Sequence, residues 1–263
     1  MTSLVVKLGG HALDSLRATS PVLVDLAVDI TDLRTRGTDV VVVHGGGPQI
    51  AALLAEVGVE SRFHDGLRVT DERTMRYVAM ALSQVNLHVV TVLNRNGLAS
   101  IGLSGPDGDV LAAVAGDALG DHVGLCPKVR PDVITSLWRA GLTPVMTSIA
   151  VSDDGGLLNC NADTVAGALA GSLGSTALIL LSDVDQLRAD PDDASSALAS
   201  VSGDAVRAMI VSGAAREGMR PKMIGALDAL DGGAGKVILA NGTRRHALRE
   251  ALANAVPTTE VVR

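Results

Sequence analysis

The stretch VVVHGGGPQI, residues 41–50, joins a hydrophobic run to a histidine, three consecutive glycines and a proline. The run is rich in β-branched residues and lacks polar alternation, which is typical of a strand buried on both faces of a parallel sheet. Residues 47–57 then have helical composition and spacing. A second stretch, VVKLGG at residues 5–10, repeats the passage from strand to glycines. These two stretches predict an α/β fold whose ligands bind at the carboxyl ends of parallel strands.

The rest of the chain alternates in the same way. Strands are predicted at residues 4–8, 39–44, 99–104, 143–151, 177–184 and 236–240. Helices are predicted at residues 20–36, 47–57, 71–97, 130–141, 161–172 and 218–230. This order indicates a mainly parallel central sheet. The Asp-, Pro- and Ser-rich stretch 188–204 is predicted to be loop. A division near residue 172 would give an N-terminal lobe, 1–172, and a C-terminal lobe, 173–263.

Composition excludes several classes of function. The chain has 263 residues, 47% of them hydrophobic, and a formal net charge of −7. It has no dense basic run, and its only aromatic residues are Phe63, Tyr77 and Trp138, which argues against nucleic acid or an anionic membrane as a partner. Cys126 and Cys160 are too few for a disulfide framework or a zinc site. With no signal peptide and no apolar run of about 18 residues, the chain is expected to be cytoplasmic.

The two glycine loops are candidates for an anion site. Neither fits the P-loop pattern or the G-x-G-x-x-G pattern. Glycine lets backbone N–H groups approach a ligand closely, and helix N-termini favour anions. Tight turns alone are the alternative, but two such loops on neighbouring strands favour the anion site. His44 is not predicted to be catalytic, because a histidine at a strand end is equally consistent with a satisfied core residue.

Two lysines are candidate partners for that anion. Lys7 lies inside the first strand, where a buried ammonium is costly unless it meets an opposite charge. Its position beside a glycine loop favours a phosphate partner, although its head could instead reach solvent. Lys222 follows Pro221 at a predicted helix start and offers a second cation. Spacing alone leaves open that Lys222 is simply solvated.

Further polar residues are candidates for binding substrate. Arg68 lies between hydrophobic residues in GLRVTDERTM, residues 66–75, and its guanidinium could bind a carboxylate through two N–H groups, with a surface salt bridge as the alternative. Asn161 or Asp163 could cap the helix predicted at 161–172. Alternatively, these residues form a polar cluster that orients cations or binds substrate.

The motifs together resemble the amino-acid kinase superfamily. They occur in the family's order across residues 4–240 as VVKLGG, VVVHGGGPQI, GLRVTDERTM, IGLSGPDGD, LLNCNADTVAGALA, ILLSDVDQL and EGMRPKM. The chain is most similar to the branch that phosphorylates N-acetyl-L-glutamate in arginine biosynthesis, in the short form of enteric bacteria. The resemblance implies a three-layer αβα sandwich that binds the amino acid in its N-terminal lobe and ATP in its C-terminal lobe.

The resemblance also assigns roles to the phosphoryl-transfer residues. Lys7 and Lys222 would stabilise the transferring phosphoryl group, and Asp163 would hold both lysines in place. Gly45 and Gly46 would donate backbone N–H groups to the phosphate and to the side-chain carboxylate of the substrate. Mg²⁺ is expected to arrive with ATP, and no protein ligand is assigned to it.

The resemblance assigns the remaining residues to the binding of N-acetyl-L-glutamate and of ATP. Arg68 and Asn159 would bind the α-carboxylate and the acetamido group of N-acetyl-L-glutamate. The phosphate path and the nucleotide loops are assigned to Gly9, Gly10, Asp183, Val184, Asp185, Gln186, Leu187, Arg188, Ala214, Ala215 and Arg216.

Three features depart from the family pattern. Gln186 stands where the family has the glycine of D-V-x-G, so the nucleotide loop is expected to differ in shape. The family's closing Gly-Thr segment is replaced by PTTEVV, residues 257–262. Only six residues precede Lys7, whereas the arginine-inhibited hexameric members carry an additional N-terminal helix. A homodimer without arginine feedback is therefore expected.

Two alternatives remain open at this stage. One is a related kinase for another N-acylated acidic amino acid, of the aminoadipate or aspartate type. The other is a non-catalytic sensor of an amino acid or nucleotide. The GLRVTDERTM loop favours free N-acetyl-L-glutamate. The presence of Lys7, Asp163 and Lys222 together argues against a sensor, because a protein that only binds has little need for all three. A third possibility, a relative of the uridylate or aspartate kinases, does not fit the GLRVTDERTM loop.

Overall fold

The computed structural model of the chain describes residues 2–9, 13, 20–116, 120–214 and 218–263. The strands are β1 (Thr2–Leu8), β2 (Thr38–His44), β3 (Phe63–His64), β4 (Leu67–Arg68), β5 (Ser100–Leu103), β6 (Leu111–Ala115), β7 (Val123–Val129), β8 (Thr143–Met146), β9 (Ile149–Val151), β10 (Leu157–Cys160), β11 (Ala177–Ser182), β12 (Leu187–Arg188), β13 (Ala197–Leu198), β14 (Ser200–Ser202), β15 (Val237–Asn241) and β16 (Thr258–Val262). The α-helices are α1 (Pro21–Thr35), α2 (Gly47–Glu56), α3 (Glu72–Arg95), α4 (Pro131–Arg139), α5 (Ala162–Ser172), α6 (Gly203–Val211), α7 (Met219–Gly232) and α8 (Ala247–Leu252).

An eight-stranded sheet in the order β14-β16-β15-β11-β1-β2-β8-β5 forms the centre of the molecule. β1 lies in its middle and pairs in parallel with β2 and β11, with Val6 opposite Val42 on one side and Ile179 on the other. Among the described strands of this sheet, the only antiparallel contact between neighbours joins β15 to β16. The predicted mainly parallel α/β sheet is confirmed.

Helices cover both faces of this sheet and form two cores. Because side chains alternate along a strand, β1 sends Val5 to one face and Val6 to the other. Val5 packs in a core with residues of α4, α5 and α7. Val6 packs in a second core with residues of α1, α3 and α8. This arrangement confirms the predicted three-layer αβα sandwich.

Local sequence signals set several helix ends. Asp71 caps α3 by accepting a hydrogen bond from the backbone N–H of Thr74 at 2.7 Å, and Asn161 caps α5 in the same manner through Asp163 N–H at 2.8 Å. α7 ends at Gly233, whose φ of +116° is a left-handed conformation that glycine adopts readily.

The strand predicted at residues 143–151 is wrong in one respect, because it is two strands. β8 belongs to the large sheet, whereas β9 joins β10, β7 and β6 in a small closed sheet. The chain changes sheet at Thr147 and Ser148, which are both buried. The only proline of this stretch, Pro144, lies within β8, and neither Gly nor Pro stands at the bend itself to signal it.

The stretch predicted as loop, 188–204, contains short regular elements. The end of β12, β13, β14 and the first residues of α6 lie within it. The large sheet contains strands from before and from after residue 172. The division of the chain into two lobes near that residue stays a prediction. Among the residues that the structure describes, no helix is long and apolar enough to cross a membrane.

Candidate active site

Lys7, Asp163 and Lys222 form a buried charged cluster at the carboxyl end of β1. Lys7 Nζ lies 2.7 Å from Asp163 Oδ1, and Lys222 Nζ lies 3.7 Å from Asp163 Oδ2. Asp163 is in the first turn of α5, where Asn161 is the N-cap residue. The capping alternative left open by the sequence is therefore resolved in favour of Asn161. Asp163 is left to contact both lysines.

Burial and opposite charge act against each other in this cluster. The side chains of Lys7, Asp163 and Lys222 are 7%, 6% and 15% exposed. Burial alone would raise the pKa of Asp163, but the two ammonium groups more than offset burial and hold that pKa below its usual range. Burial lowers the pKa of Lys7, and the neighbouring carboxylate opposes this shift. One carboxylate with two ammonium groups leaves one surplus positive charge, which suits an anionic ligand.

The glycine loop and the charged cluster line one cavity of about 330 Å³. Gly45, Gly46 and Gly47 lie at the end of β2 and lead into α2, with no side chain capping the helix. A Cβ on Gly46 would lie 2.9 Å from Leu82 Cδ2, so only glycine fits there without movement. An uncapped helix N-terminus beside two lysines is suited to an anion. The structure thus brings Gly45 and Gly46 together with the predicted catalytic residues.

Arg68 lies in the same cavity and is held rigidly. It is 7% exposed, its Nη2 donates to the carbonyl oxygen of Gly47 at 3.2 Å, and its Nη1 donates to Ser61 Oγ. Its guanidinium carbon lies 4.6 Å from the centre of the Phe63 ring. In the described part of the chain, no carboxylate lies within ion-pair distance of Arg68. A buried guanidinium facing a cavity without such a partner is suited to binding a carboxylate.

Asn159 lines the same cavity, and Thr70 accepts a hydrogen bond from its side chain. Asn159 Nδ2 donates to Thr70 Oγ1 at 3.1 Å, and that hydroxyl donates to the carbonyl oxygen of Arg68 at 2.7 Å. Two consecutive hydrogen bonds therefore connect Asn159 to the backbone of Arg68 in β4. Cys160 also lines the cavity, but burial raises the pKa of its thiol to about 12, so it is a poor nucleophile.

A second cavity of about 450 Å³ lies at the end of β11. It is lined by the predicted nucleotide-loop residues Asp183, Val184, Asp185, Gln186, Leu187, Arg188 and Ala214. Asp183 lines both cavities, so they meet beside the lysine cluster. The other lining residues are Pro191, Ala194, Ala197, Met219 and Met223. An aromatic-free wall of this kind can hold a base only through aliphatic and backbone contacts.

Gln186 gives the predicted nucleotide loop a contact that the glycine of the family pattern could not make. Its Nε2 donates to the carbonyl oxygen of Thr258 at 3.0 Å. The adjacent Leu187 N–H donates to Thr259 Oγ1 at 2.8 Å. The loop is therefore joined to β16 by a side chain that glycine would lack.

The structure does not bring every predicted residue to a cavity. Gly9 is absent from the linings of the two cavities described above. Its N–H donates to Leu181 O at 2.7 Å, and a Cβ would lie 2.9 Å from the same oxygen. Gly9 therefore permits the close approach of β1 and β11. Gly10, Ala215 and Arg216 lie outside the described residues.

Sequence reasoning missed Ser148, which lines the cavity at the bend between β8 and β9. A larger cavity of about 1000 Å³ lies between β7 and helices α5 and α7 and contains none of the predicted site residues. Over the ranges that the structure describes, no group of three or more His, Cys, Asp or Glu side chains could hold a metal ion.

Comparisons with known proteins identify the family of the chain. Residues 2–241 match the profile of the amino acid kinase family, and the chain belongs to that family. Within the family, the chain is 41% identical over 224 residues to the chloroplastic acetylglutamate kinase of Arabidopsis thaliana. It is 38% identical over 225 residues to the acetylglutamate kinase of Thermoanaerobacter sp. (strain X514). By these identities, the chain groups with the acetylglutamate kinases.

The coverage of these matches is uneven. Each alignment includes 84% of this chain, but 63% of the plant protein and 74% of the bacterial one. Among solved structures, N-acetylglutamate synthase from Neisseria gonorrhoeae, complexed with coenzyme A and N-acetyl-glutamate, superposes with a TM-score of 0.82. That match covers 100% of this chain and 59% of the synthase at 23% identity, so it supports the fold alone.

Proposed function

We propose that this chain transfers the γ-phosphoryl group of ATP to the γ-carboxylate of N-acetyl-L-glutamate, giving N-acetyl-L-glutamyl 5-phosphate and ADP. A carboxylate oxygen forms the new bond to phosphorus, and the bond from phosphorus to the β,γ-bridging oxygen breaks. ADP leaves with that electron pair. Because a carboxylate is already a nucleophile, the reaction needs no general base.

The observation that carries this proposal is the position of the lysine cluster. Lys7, Asp163 and Lys222 line the cavity that contains Arg68, and Asp183 connects that cavity with the second one. Two anions must approach each other during the transfer, and a buried pair of ammonium groups offsets their repulsion. Phosphoryl transfer depends mainly on such positioning and electrostatic stabilisation.

The other residues would then position the acceptor. Arg68 would bind its α-carboxylate, and Asn159 would bind its acetamido group. Gly45 and Gly46 would direct N–H groups at the γ-carboxylate and the transferring phosphoryl group. A substrate with carboxylates at both ends fits a cavity that has Arg68 at one wall and the lysines at another.

We place ATP in the second cavity, with its phosphates directed towards Lys7 and Lys222. When bound with ATP, Mg²⁺ would neutralise phosphate charge. Asp183 is the carboxylate that lines both cavities and could approach such an ion. Asp163 is less suited to that role, because both lysines already contact it.

A hydroxylamine trap tests the proposed reaction. Purified protein with ATP, Mg²⁺ and N-acetyl-L-glutamate should give a hydroxamate that depends on both substrates. N-Acetylaspartate and N-acetyl-2-aminoadipate serve as matched acceptors, and N-acetyl-L-glutamate should have the highest kcat/KM. A higher value for either of the other acceptors would contradict the proposed substrate. Folded protein with no turnover on any of the three would favour a sensor.

Lys222→Ala tests the proposed role in the transition state. We expect kcat to fall by about 100-fold or more, with dissociation constants for the substrates changed only a few-fold, because the ammonium acts on charge that develops during transfer. Turnover and calorimetric binding should be measured on the same preparation. An unchanged kcat would contradict this role.

We also propose that the chain forms a homodimer. Met80 and Leu87 on α3 are 59% and 69% exposed and lie seven residues apart, which places them on one face of the helix. Light scattering should give about twice the chain mass of 26.8 kDa. A monomer mass would contradict the proposal. The cytoplasmic location stays a prediction.

A further inference from the structure

Behind the glycine loop, His44 and Asn86 form a buried pair that the proposed reaction does not use. His44 ends β2 and is 0% exposed, and Asn86 lies within α3 and is 8% exposed. His44 Nδ1 lies 2.8 Å from the carbonyl oxygen of Gly45, and His44 Nε2 lies 3.0 Å from Asn86 Nδ2. Asn86 Nδ2 also lies 2.9 Å from the carbonyl oxygen of Val145. These contacts connect the backbone of β8 with the glycine loop.

The direction of each hydrogen bond follows from the two carbonyl oxygens at the ends of this series. A carbonyl oxygen only accepts, so His44 Nδ1 must carry a hydrogen and donate to Gly45. Asn86 Nδ2 has two hydrogens, and it donates one to Val145 and the other to His44 Nε2. The imidazole is therefore neutral. Burial lowers the pKa of His44 to about 4, which agrees with a neutral ring at pH 7.

Gly102 leaves the space that the Asn86 amide fills, and the carbonyl oxygen of Val145 sets the orientation of that amide. A Cβ on Gly102 of β5 would lie 1.9 Å from Asn86 Oδ1, so β5 can approach the amide this closely only at a glycine. Turning the amide over would place its oxygen against the carbonyl of Val145, which is repulsive. The Asn86 orientation, and with it the His44 tautomer, is thus fixed by α3, β5 and β8.

The orientation of His44 determines the orientation of the peptide between Gly45 and Gly46. That peptide is trans, as are all described peptide bonds, so its N–H points away from its C=O. The C=O points to His44, which contacts α3 on one face of the sheet. The Gly46 N–H must then point towards the other face, where Lys7 contacts Asp163 of α5.

We propose that His44 and Asn86 are positioning residues that hold the Gly45–Gly46 peptide with its N–H directed at the phosphoryl group between Lys7 and Lys222. This inference rests on the proposed function. A peptide that turned over would direct a carbonyl oxygen at the same group and repel it. Removing one backbone-type donor from a transition state typically costs about 100- to 1000-fold in kcat. A peptide that samples both orientations should cost less than that.

Two variants of His44 separate positioning from general stability. In His44→Asn, the side-chain amide can still donate to Gly45 near the position of Nδ1, but it no longer reaches Asn86. In His44→Gln, the side chain can still accept from Asn86 near the position of Nε2, but it no longer donates to Gly45. We expect His44→Asn to keep kcat within about threefold and His44→Gln to lower kcat by about 10- to 100-fold. Both should keep the KM for ATP within about twofold.

Asn94→Ala is the matched control. Asn94 lies on the same helix and makes two hydrogen bonds to the backbone of Ser100, at 2.9 and 3.0 Å. Its loss should lower stability without changing kcat per folded molecule. If His44→Gln keeps the parent kcat, or if both His44 variants lose the same activity in proportion to lost folded protein, the positioning role is wrong.

Crystal structures of the two His44 variants distinguish this inference from the proposed function. The Gly45 carbonyl should point to the side chain at position 44 in His44→Asn and should turn, at least in part, in His44→Gln. The same orientation in both would overturn the inference. If the parent protein fails to phosphorylate N-acetyl-L-glutamate, the proposed function is wrong. The orientation of the Gly45–Gly46 peptide in the two variants then still tests whether His44 positions that peptide.

Discussion

The cavity proposed for N-acetyl-L-glutamate and the cavity proposed for ATP are built in contrasting ways. In the first, the charged side chains of Lys7, Asp163 and Lys222 are at most 15% exposed and contact one another directly. In the second, Arg188 is exposed, and the wall combines the polar loop 183–188 with apolar side chains such as Met219 and Met223. Charge at a buried, fixed position acts strongly on a transition state, whereas an open loop can bind and release a ligand. The contrast implies that changes in the first cavity affect kcat and changes in the second affect nucleotide affinity.

Asp163→Asn should give the largest effect, because it leaves two buried ammonium groups without their shared carboxylate. We expect kcat to fall by about 1000-fold or more and the free energy of unfolding to fall by about 3–5 kcal/mol. Steady-state kinetics and urea unfolding measure the two quantities. The control is Asp231→Asn, which breaks the exposed ion pair with Arg207 at 2.6 Å and should leave kcat unchanged. Equal effects of the two variants would remove the contrast between buried and exposed charge.

Arg68→Lys should affect substrate binding more than chemistry. Lysine keeps the positive charge but loses the planar guanidinium that contacts Gly47 and Ser61. We expect the KM for N-acetyl-L-glutamate to rise by about 10- to 30-fold, with the KM for ATP unchanged. Arg76→Lys, at an exposed ion pair with Glu72, is the control. A rise in the KM for ATP instead would show that Arg68 serves the other substrate.

His44 should make the folded state sensitive to acid, because its ring is fully buried at the end of β2. The folded-state pKa of His44 is about 4, below the ordinary value of 6.5. The unfolded chain therefore binds the proton first, and stability that is present above pH 6.5 is lost as the pH falls towards 4. The shift in the pKa of His44 should therefore lower the free energy of unfolding by about 2 kcal/mol between pH 7.5 and pH 5.

This contribution of His44 is measured by urea unfolding of the parent and of His44→Asn at pH 7.5 and pH 5. The parent should lose about 2 kcal/mol more than the variant on acidification. Parallel losses would mean that His44 is not buried as a neutral ring.

Gln186→Gly should give the smallest effect, confined to the nucleotide cavity. It removes one neutral hydrogen bond, from Gln186 Nε2 to the carbonyl oxygen of Thr258. We expect the KM for ATP to rise by about two- to tenfold with kcat unchanged at saturating ATP. A lower KM for ATP would show that Gln186 obstructs the nucleotide rather than holding the loop.

Local pattern was enough to predict much of the fold and part of the site. The hydrophobic runs ending in glycines predicted β1, β2 and the cavity at their ends, because ligands bind at the carboxyl ends of buried parallel strands. The lysine inside such a run, Lys7, indicated an anionic partner, for which the residues alone favoured a phosphate. The structure places Asp163 in contact with Lys7, as the family resemblance implied. The helices predicted at 71–97 from composition and at 161–172 from a capping signal begin within one residue of α3 and α5.

The remaining features depend on contacts between distant parts of the chain. His44 and Asn86 are 42 residues apart, and no spacing rule relates a strand end to the middle of a helix. The change of sheet at Thr147 follows from pairing with different partners rather than from a local breaker. By spacing alone, Lys222 was equally consistent with a solvated lysine, and only the packing of α7 beside α5 brings it to Asp163. The family resemblance supplied its role in advance, but spacing did not.

The most direct test of the proposed transfer follows the oxygen atoms. N-Acetyl-L-glutamate labelled with ¹⁸O in its γ-carboxylate should be incubated with ATP and Mg²⁺, and the acyl phosphate should be cleaved with hydroxylamine, which attacks carbon. The released phosphate should then carry one ¹⁸O atom, detected by phosphorus NMR, in an amount equal to the hydroxamate. Unlabelled phosphate accompanying an equal amount of hydroxamate would contradict direct attack by the carboxylate on ATP.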